Sequence, residues 1–282
     1  MDKIGDILKK VEVLPPSPAV LPKLAHALAN IGNSNVDEMV DIIAFDSALT
    51  ARLLQIANSP YFGSSTSITN VGEAVSQVGY DTVFLLASAI SGENCMRPVP
   101  GTGLDAVMLW KHSVTSAFGA QHVAQAIELE DNMTFTAGLL HDLGKVVFAS
   151  AYGKAYTRMS NPALRGTARL VEWEKSQYGC DHAELGAALL ERWNLPPALV
   201  AGVQFHHQLS AAGEYGPITA CVSLGNALSR TIKEPAFNLD TGDPDVASAL
   251  QYLNLTPADL SDQRDRILQN WDFVQKLYEL RK

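Results

Sequence analysis

The chain has 282 residues, of which 47% are hydrophobic and 18% are charged, and its formal net charge at pH 7 is -9. This balance is typical of a globular protein with a sizeable core and argues against a disordered chain. The acidic charge and the lack of long lysine or arginine runs argue against a nucleic-acid partner, which requires a clustered basic surface.

The sequence also argues against a membrane or secreted protein. No stretch reaches the roughly 18 uncharged apolar residues of a membrane span, and the N-terminal residues lack the apolar core of a signal peptide. The three cysteines, Cys95, Cys180 and Cys221, are odd in number and have no CxxC spacing, which favours a reducing compartment. We therefore predict a cytoplasmic protein with no membrane partner.

Helical periodicity recurs along the first third of the chain, and sustained strand-like alternation is absent. Helices are predicted over residues 18–31, 36–57 (as two short helices), 70–78 and 81–91. Asp46 or Ser47 should cap the second of the two short helices, and Asn70 should cap the next one.

The segment from Gly92 to Gly103 is the clearest break in the chain, because it contains prolines and glycines and has no periodicity. Beyond it, helices are predicted at about 104–128, 132–150, 166–179, 182–193, 197–206, 216–230, 243–253 and 258–280, with a loop over 234–244. The predicted fold class is all-α. We expect two packed helical lobes, one over residues 1–95 and one over residues 104–282.

Five of the seven histidines fall in the second lobe, at His112, His141, His182, His206 and His207. The most informative motif is GLLHDLGK at residues 138–145. In a continuous helix His141 and Lys145 share one face, and Asp142 lies about 100° away around the helix axis. Imidazole and carboxylate ligands together suit Zn, Mn, Fe, Co or Ni, so the motif predicts a divalent metal site without choosing the metal. Lys145 could neutralise a phosphate oxygen.

Simpler interpretations of these residues stay open. A His-Asp pair also arises by chance, and a histidine on an apolar helix is often a hydrogen-bonded core residue. Lys145 could be a solvated cation near a helix C-terminus, and His182 could belong to the capping region of its helix.

Several segments of the chain resemble segments of known families. LWKHS around His112, HDLGK at 141–145, HAELGAALLERWNLP at 182–196 and the pair His206-His207 resemble the HD phosphohydrolase superfamily. LPPSPAVLPKL at 14–24, IIAFDSALTARLLQIANSPYFG at 42–63 and VGEAVSQVG at 71–79 resemble the N-terminal lobe of its HDOD branch. The resemblance covers residues from about 10 to 230.

The resemblance implies a metal site whose ligands can be assigned residue by residue. His112 matches the first metal ligand of the superfamily. His141 and Asp142 match its signature pair, with Asp142 as the bridging ligand. Lys145 matches a lysine that contacts the scissile phosphate in the related HD-GYP branch.

Further positions match the family less completely. Three histidines match those that hold a second ion in HD-GYP-like proteins: His182, His206 and His207. The last ligand of the superfamily is an aspartate, and Asn226 stands at the corresponding place. Gln208 stands where the GYP signature has a glutamate, and Met108, one turn before His112, offers no carboxylate.

The resemblance implies an HDOD signal-transduction protein, with two functions of different classes left open. In the first, one or two divalent ions (Fe, Mn, Zn or Ni) with Asp142 and Lys145 hydrolyse a nucleotide or another small molecule that contains phosphate. In the second, the chain is a non-catalytic scaffold for a signalling protein partner, and any metal or nucleotide is structural. Asn226 and Gln208 favour the second function.

Overall fold

The structure is a computed structural model that describes residues 3–11, 15, 19–29, 36–63, 67–98, 100–129, 133–160, 169–233 and 242–279. Within these ranges the regular structure is helical and no strand occurs, so the predicted all-α class is confirmed. The ends of several predicted elements, at residues 18, 30–31, 132, 166–168, 234–241 and 280, lie outside the described residues.

The first third of the chain contains α1 (Lys3–Lys10), α2 (Leu21–Ala29), α3 (Val36–Ala44), α4 (Ser47–Ala57), α5 (Val71–Val78) and α6 (Tyr80–Cys95). The predicted caps are confirmed. The Asp46 carboxylate accepts the first main-chain N–H groups of α4, and the Asn70 side chain accepts the N–H of Glu73 in α5. Each cap satisfies main-chain donors that have no partner inside the helix.

The remaining helices are α7 (Ala106–Ala126), α8 (Met133–Leu140), α9 (Leu143–Tyr152), α10 (Lys154–Ser160), α11 (Leu170–Tyr178), α12 (His182–Arg192), α13 (Pro197–Gln204), α14 (Gly216–Lys233), α15 (Pro244–Leu253), α16 (Pro257–Gln269) and α17 (Trp271–Tyr278). The N-terminal helix α1 packs against α9 and α12, although they are distant in sequence. The division into two lobes at residues 95 and 104 stays a prediction.

The predicted end of the helix over 81–91 and the predicted single helix over 258–280 are wrong. α6 continues through Gly92 to Cys95. Gly92 packs against Leu139, and a β-carbon on Gly92 would lie 2.6 Å from that side chain. The predicted helix over 258–280 is two helices. The Asn270 N–H donates to the carbonyl groups of α16, and the Asn270 carbonyl accepts the first N–H groups of α17.

Glycines allow the helices around the future site to approach at main-chain distance. A β-carbon on Gly225 of α14 would overlap the carbonyl oxygen of Ser116 and lie 2.5 Å from the amide nitrogen of Ala120, both in α7. A β-carbon on Gly144 of α9 would overlap the carbonyl oxygen of His182 in α12. These contacts fix the distances between the helices that carry the candidate site residues.

Among the described residues, no helix combines the length and the apolar character needed to cross a membrane.

We expect Gly225→Ala to destabilise the fold by about 1–3 kcal/mol, because the added methyl group has no space between α7 and α14. The matched control is Gly72→Ala in the first turn of α5, where the nearest atom to a β-carbon lies 3.4 Å away. That variant should be unchanged or up to about 1 kcal/mol more stable. Urea unfolding measures both, and equal stabilities would contradict the close packing of α7 and α14.

Candidate metal centre

His141 and Asp142 form a turn between α8 and α9, so the predicted continuous helix over 132–150 is wrong at this point. His141 Nδ1 donates to the Gly138 carbonyl at 2.7 Å, the group that the N–H of Asp142 would bond in a continuous helix. As a result His141 and Lys145 do not belong to one continuous helix. The Nζ atom of Lys145 lies 2.7 Å from Asp142 Oδ2.

One group of candidate ligands consists of His112, His141 and Asp142, which we call the HD group. The Nε2 atoms of the two histidines lie 3.2 Å apart. His112 Nε2 also lies 3.2 Å from Asp142 Oδ2, and His141 Nε2 lies 3.5 Å from Asp142 Oδ1. The HD group is largely buried, with His141 and Asp142 only 0% and 1% exposed.

Hydrogen bonds lie behind both imidazoles. His141 carries its proton on Nδ1, because that atom faces the Gly138 carbonyl, so its Nε2 atom directs a lone pair into the site. His112 Nδ1 lies 2.8 Å from the Ser229 hydroxyl. The Nε2 atoms of the two rings face the same point, as two ligands of one metal ion would.

A second group consists of His182, His206 and His207, which we call the three-histidine group. The Nδ1 atoms each lie 2.7 Å from an acceptor: His182 from Glu174 Oε2, His206 from the Val203 carbonyl and His207 from Asp245 Oδ2. The Nε2 atoms of His182 and His206 are buried and have no hydrogen-bond partner in the part of the chain that the structure describes. Asp181, and not His182, caps α12.

Asp142 lies between the two groups and faces each with a different oxygen. Oδ2 lies near His112 Nε2 and the ammonium group of Lys145. Oδ1 lies 3.3 Å from His182 Nε2 and is buried without a hydrogen-bond partner among the described residues. This is the position of a carboxylate that could bridge two cations.

The electrostatics favour the neutral forms of His141, His206 and His207 beside an ionised Asp142. Burial lowers the pKa of His141 to about 3 and holds the pKa values of His206 and His207 well below the ordinary value. Burial raises the pKa of Asp142, but His141 and Lys145 outweigh it and hold that pKa well below its ordinary value. Neutral histidine and ionised aspartate are the forms that bind a metal.

The residues fit one or two divalent metal ions. Buried polar atoms without partners are costly, and here such atoms are Asp142 Oδ1 and the Nε2 atoms of His182 and His206. Imidazole nitrogen with carboxylate oxygen suits Mn, Fe, Ni or Zn. The donor set agrees with the expected cofactor class and does not select one metal.

Asn226 lies on the face of α14 that borders the centre. Its neighbours one turn away on either side both contact the centre: Ser223 Oγ donates to the His206 carbonyl at 2.6 Å, and Ser229 contacts His112. Asn226 is therefore near both groups, and its role as a ligand stays a prediction.

The centre reaches solvent at its rim. The side chains of His112, Lys145 and His207 are 15%, 20% and 16% exposed. A cavity of about 260 Å³ adjoins His207 and is lined in part by Lys175 and Glu184. A small molecule could approach from this rim, whereas the other ligands are enclosed.

Three residues of the centre were not predicted from the sequence: Glu174, Asp245 and Ser229. Ser229 lies three positions after Asn226, so helical spacing could have indicated it. Asp245 contacts His207, which lies 38 positions earlier in the chain. Glu174 of α11 contacts His182 at the start of α12. The sequence carries no local signal for either of these two contacts.

Solved structures share this fold. An HDOD domain protein of unknown function from Geobacter sulfurreducens has a TM-score of 0.78 and 22% identity, covering 99% of this chain and 97% of that one. A protein described as a candidate phosphohydrolase from Shewanella amazonensis SB2B has a TM-score of 0.74 and 22% identity, covering 98% of both chains. At such identities the likeness shows the fold alone.

Sequence comparison identifies the family. An uncharacterized protein of Treponema pallidum (strain Nichols) is 29% identical over 229 residues, which are 80% of this chain and 44% of that protein. This chain thus spans less than half the length of that relative. The HDOD domain model matches residues 14–209. Because this match covers well over half of the sequence, the chain belongs to the HDOD domain family, as its motifs predict.

Proposed function

We propose that this chain is an HDOD signalling protein whose metal centre hydrolyses a phosphate ester. The observation that carries the proposal is the convergence of histidine Nε2 atoms on both oxygens of a buried aspartate, Asp142. The likeness to a candidate phosphohydrolase from Shewanella amazonensis agrees with this class of reaction. A nucleotide or another small phosphate ester is the substrate class that we propose.

The two groups would hold the ions, with Asp142 as their shared ligand. The HD group and the three-histidine group would each supply imidazole nitrogen, and Asn226 could add an amide oxygen. When bound, divalent ions supply Lewis-acid polarisation of the phosphoryl group and activation of water.

Lys145 is placed to contact the substrate. Its ammonium group is partly exposed and lies 2.7 Å from Asp142 Oδ2. An ion on Asp142 would compensate the aspartate charge, so Lys145 could turn to a phosphate oxygen and stabilise the negative charge that develops there. The burial of His141 and Asp142 excludes bulk water and strengthens these interactions.

A second candidate is a non-catalytic scaffold in which the metal is structural. It is favoured by the enclosure of the ligands, since His141, Asp142, His182 and His206 are each at most 1% exposed. Asn226 also brings no charge where a carboxylate would bind a hard cation more strongly. In this case the chain acts through a protein partner.

We expect protein purified without chelator to contain one or two equivalents of a transition metal and to hydrolyse phosphomonoester or phosphodiester substrates. His141→Ala and Asp142→Ala should lose metal and lower kcat by about 10³-fold or more, because the two ligands act as a unit. Elemental analysis and a substrate screen measure both effects. The control is His26→Ala, since His26 is exposed and bonds the Asn194 carbonyl. Metal-loaded protein without hydrolysis would favour the scaffold.

Lys145→Met should separate metal binding from catalysis. We expect an unchanged metal content and a kcat lower by about 10²–10³-fold, as for other groups that stabilise developing charge. Steady-state kinetics beside elemental analysis test this. An unchanged kcat would mean that Lys145 serves only to neutralise Asp142.

Asn226→Asp adds a carboxylate to the face of α14 that borders the centre. We expect metal affinity to rise on the order of tenfold, because ligand charge sets the affinity for hard cations. Competition with a fluorescent chelator measures the change. The control is Asn226→Ala, which changes the same position without adding a charge. An unchanged affinity in Asn226→Asp would place residue 226 outside the ligand set.

A further inference from the structure

The two groups of ligands differ in what lies behind their imidazoles. In the HD group, the Nδ1 atoms contact neutral groups, the Gly138 carbonyl and the Ser229 hydroxyl. In the three-histidine group, two of the Nδ1 atoms contact carboxylates, those of Glu174 and Asp245. Sequence motifs give no sign of this difference.

Glu174 is fully buried, and both of its oxygens are engaged. Oε2 accepts from His182 Nδ1 at 2.7 Å and from the His182 main-chain N–H at 2.9 Å. Oε1 accepts from the Tyr156 hydroxyl at 2.7 Å. Burial, followed by the charge of Glu174, raises the pKa of Tyr156 well above its ordinary value, so the phenol remains a donor. These bonds hold the imidazole of His182 in one orientation.

Asp245, on a different helix, likewise holds the imidazole of His207 in one orientation. It lies in the first turn of α15, where its Oδ2 accepts from His207 Nδ1 and also pairs with Arg169, the residue before α11. Asp245 lies beyond residues 14–209, the part of the chain that matches the HDOD model.

A carboxylate behind an imidazole strengthens the ring as a metal ligand. It accepts the Nδ1 proton, fixes the tautomer and increases the electron density at Nε2, and loss of such a partner weakens metal binding by about 10–100-fold. Two of three imidazoles have this support in the three-histidine group. Among the described residues, the partners of the Nδ1 atoms in the HD group are a carbonyl and a hydroxyl.

The charges around Asp142 also favour binding of a cation at the three-histidine group. Lys145 lies 2.7 Å from Oδ2, the oxygen on the side of the HD group, and its positive charge opposes a cation there. Oδ1 has no hydrogen-bond partner and faces His182 Nε2. The less compensated oxygen is thus available to the three-histidine group.

We propose that Glu174 and Asp245 are positioning residues that make the three-histidine group the tighter of two metal sites, so that it fills before the HD group. This inference rests on the proposed metal centre. It reverses the order suggested by sequence motifs, in which the His141-Asp142 pair is the principal site.

The test is calorimetric titration of chelator-stripped protein with Mn²⁺. We expect two equivalents to bind in two resolved steps. His206→Ala should abolish the tight step, and His112→Ala should abolish the weak step. Glu174→Gln and Asp245→Asn keep the volume and an acceptor but remove the charge. Each should weaken the tight step by about 10–100-fold and leave the weak step nearly unchanged.

The matched control is Asp243→Asn at the N-terminus of the same helix as Asp245. Asp243 accepts the N–H of Asp245 and lies 3.6 Å from Arg230, and asparagine caps a helix equally well. Both steps should be unchanged in this variant. Thermal unfolding of the metal-free proteins checks the fold. If Glu174→Gln unfolds, Tyr156→Phe takes its place, and it should weaken the tight step by a smaller factor.

The inference is overturned if the tight step survives His206→Ala, or if the variants of Glu174 and Asp245 bind Mn²⁺ as the unmodified chain does. Hydrolysis is not part of this readout. An unmodified chain that binds two ions in the expected order without hydrolysing any phosphate ester contradicts only the proposed function. A chain that binds no ion contradicts both.

Discussion

The buried carboxylate of Asp142 is the charge on which the arrangement of the site depends. An ionised group with 1% exposure is costly unless opposite charge and hydrogen-bond donors compensate it. Lys145 compensates one oxygen, whereas the other is buried near His182 Nε2 and has no hydrogen-bond partner among the described residues. A divalent cation bound there would bring positive charge to that oxygen.

Main-chain geometry places this carboxylate. The bond from His141 Nδ1 to the Gly138 carbonyl ends α8 and turns the chain, so that His141 and Asp142 both face inward. Close contact of α7 with α14, allowed by Gly225, holds His112 and Ser229 opposite them. The site thus depends on helix distances that a single added methyl group would change.

The sequence predicts the helices and the chemical type of the site better than it predicts the geometry of the site. Caps such as Asp46 and Asn70 are local signals and were confirmed. The five histidines were identified from motifs, and the structure brings them together in two groups. The turn at His141 was missed because helical periodicity continues through it, and a side chain that competes with a main-chain hydrogen bond leaves no mark in that pattern. Contacts such as His207 with Asp245 require the folded chain.

The residues after the HDOD match also contribute to the centre, which bears on how such a protein could be regulated. Asp245 of α15 holds His207, and Trp110 of α7 donates to the Leu277 carbonyl at 2.9 Å, which attaches α17 to the helix that carries His112. A change in the docking of α15 would release one imidazole while leaving His141 and Asp142 in place. The three-histidine group would then respond to the docking of α15, whereas the HD group would depend on the packing of α7, α8 and α14 and, through α7, on α17. The two halves of one metal centre would thus be coupled to different parts of the fold.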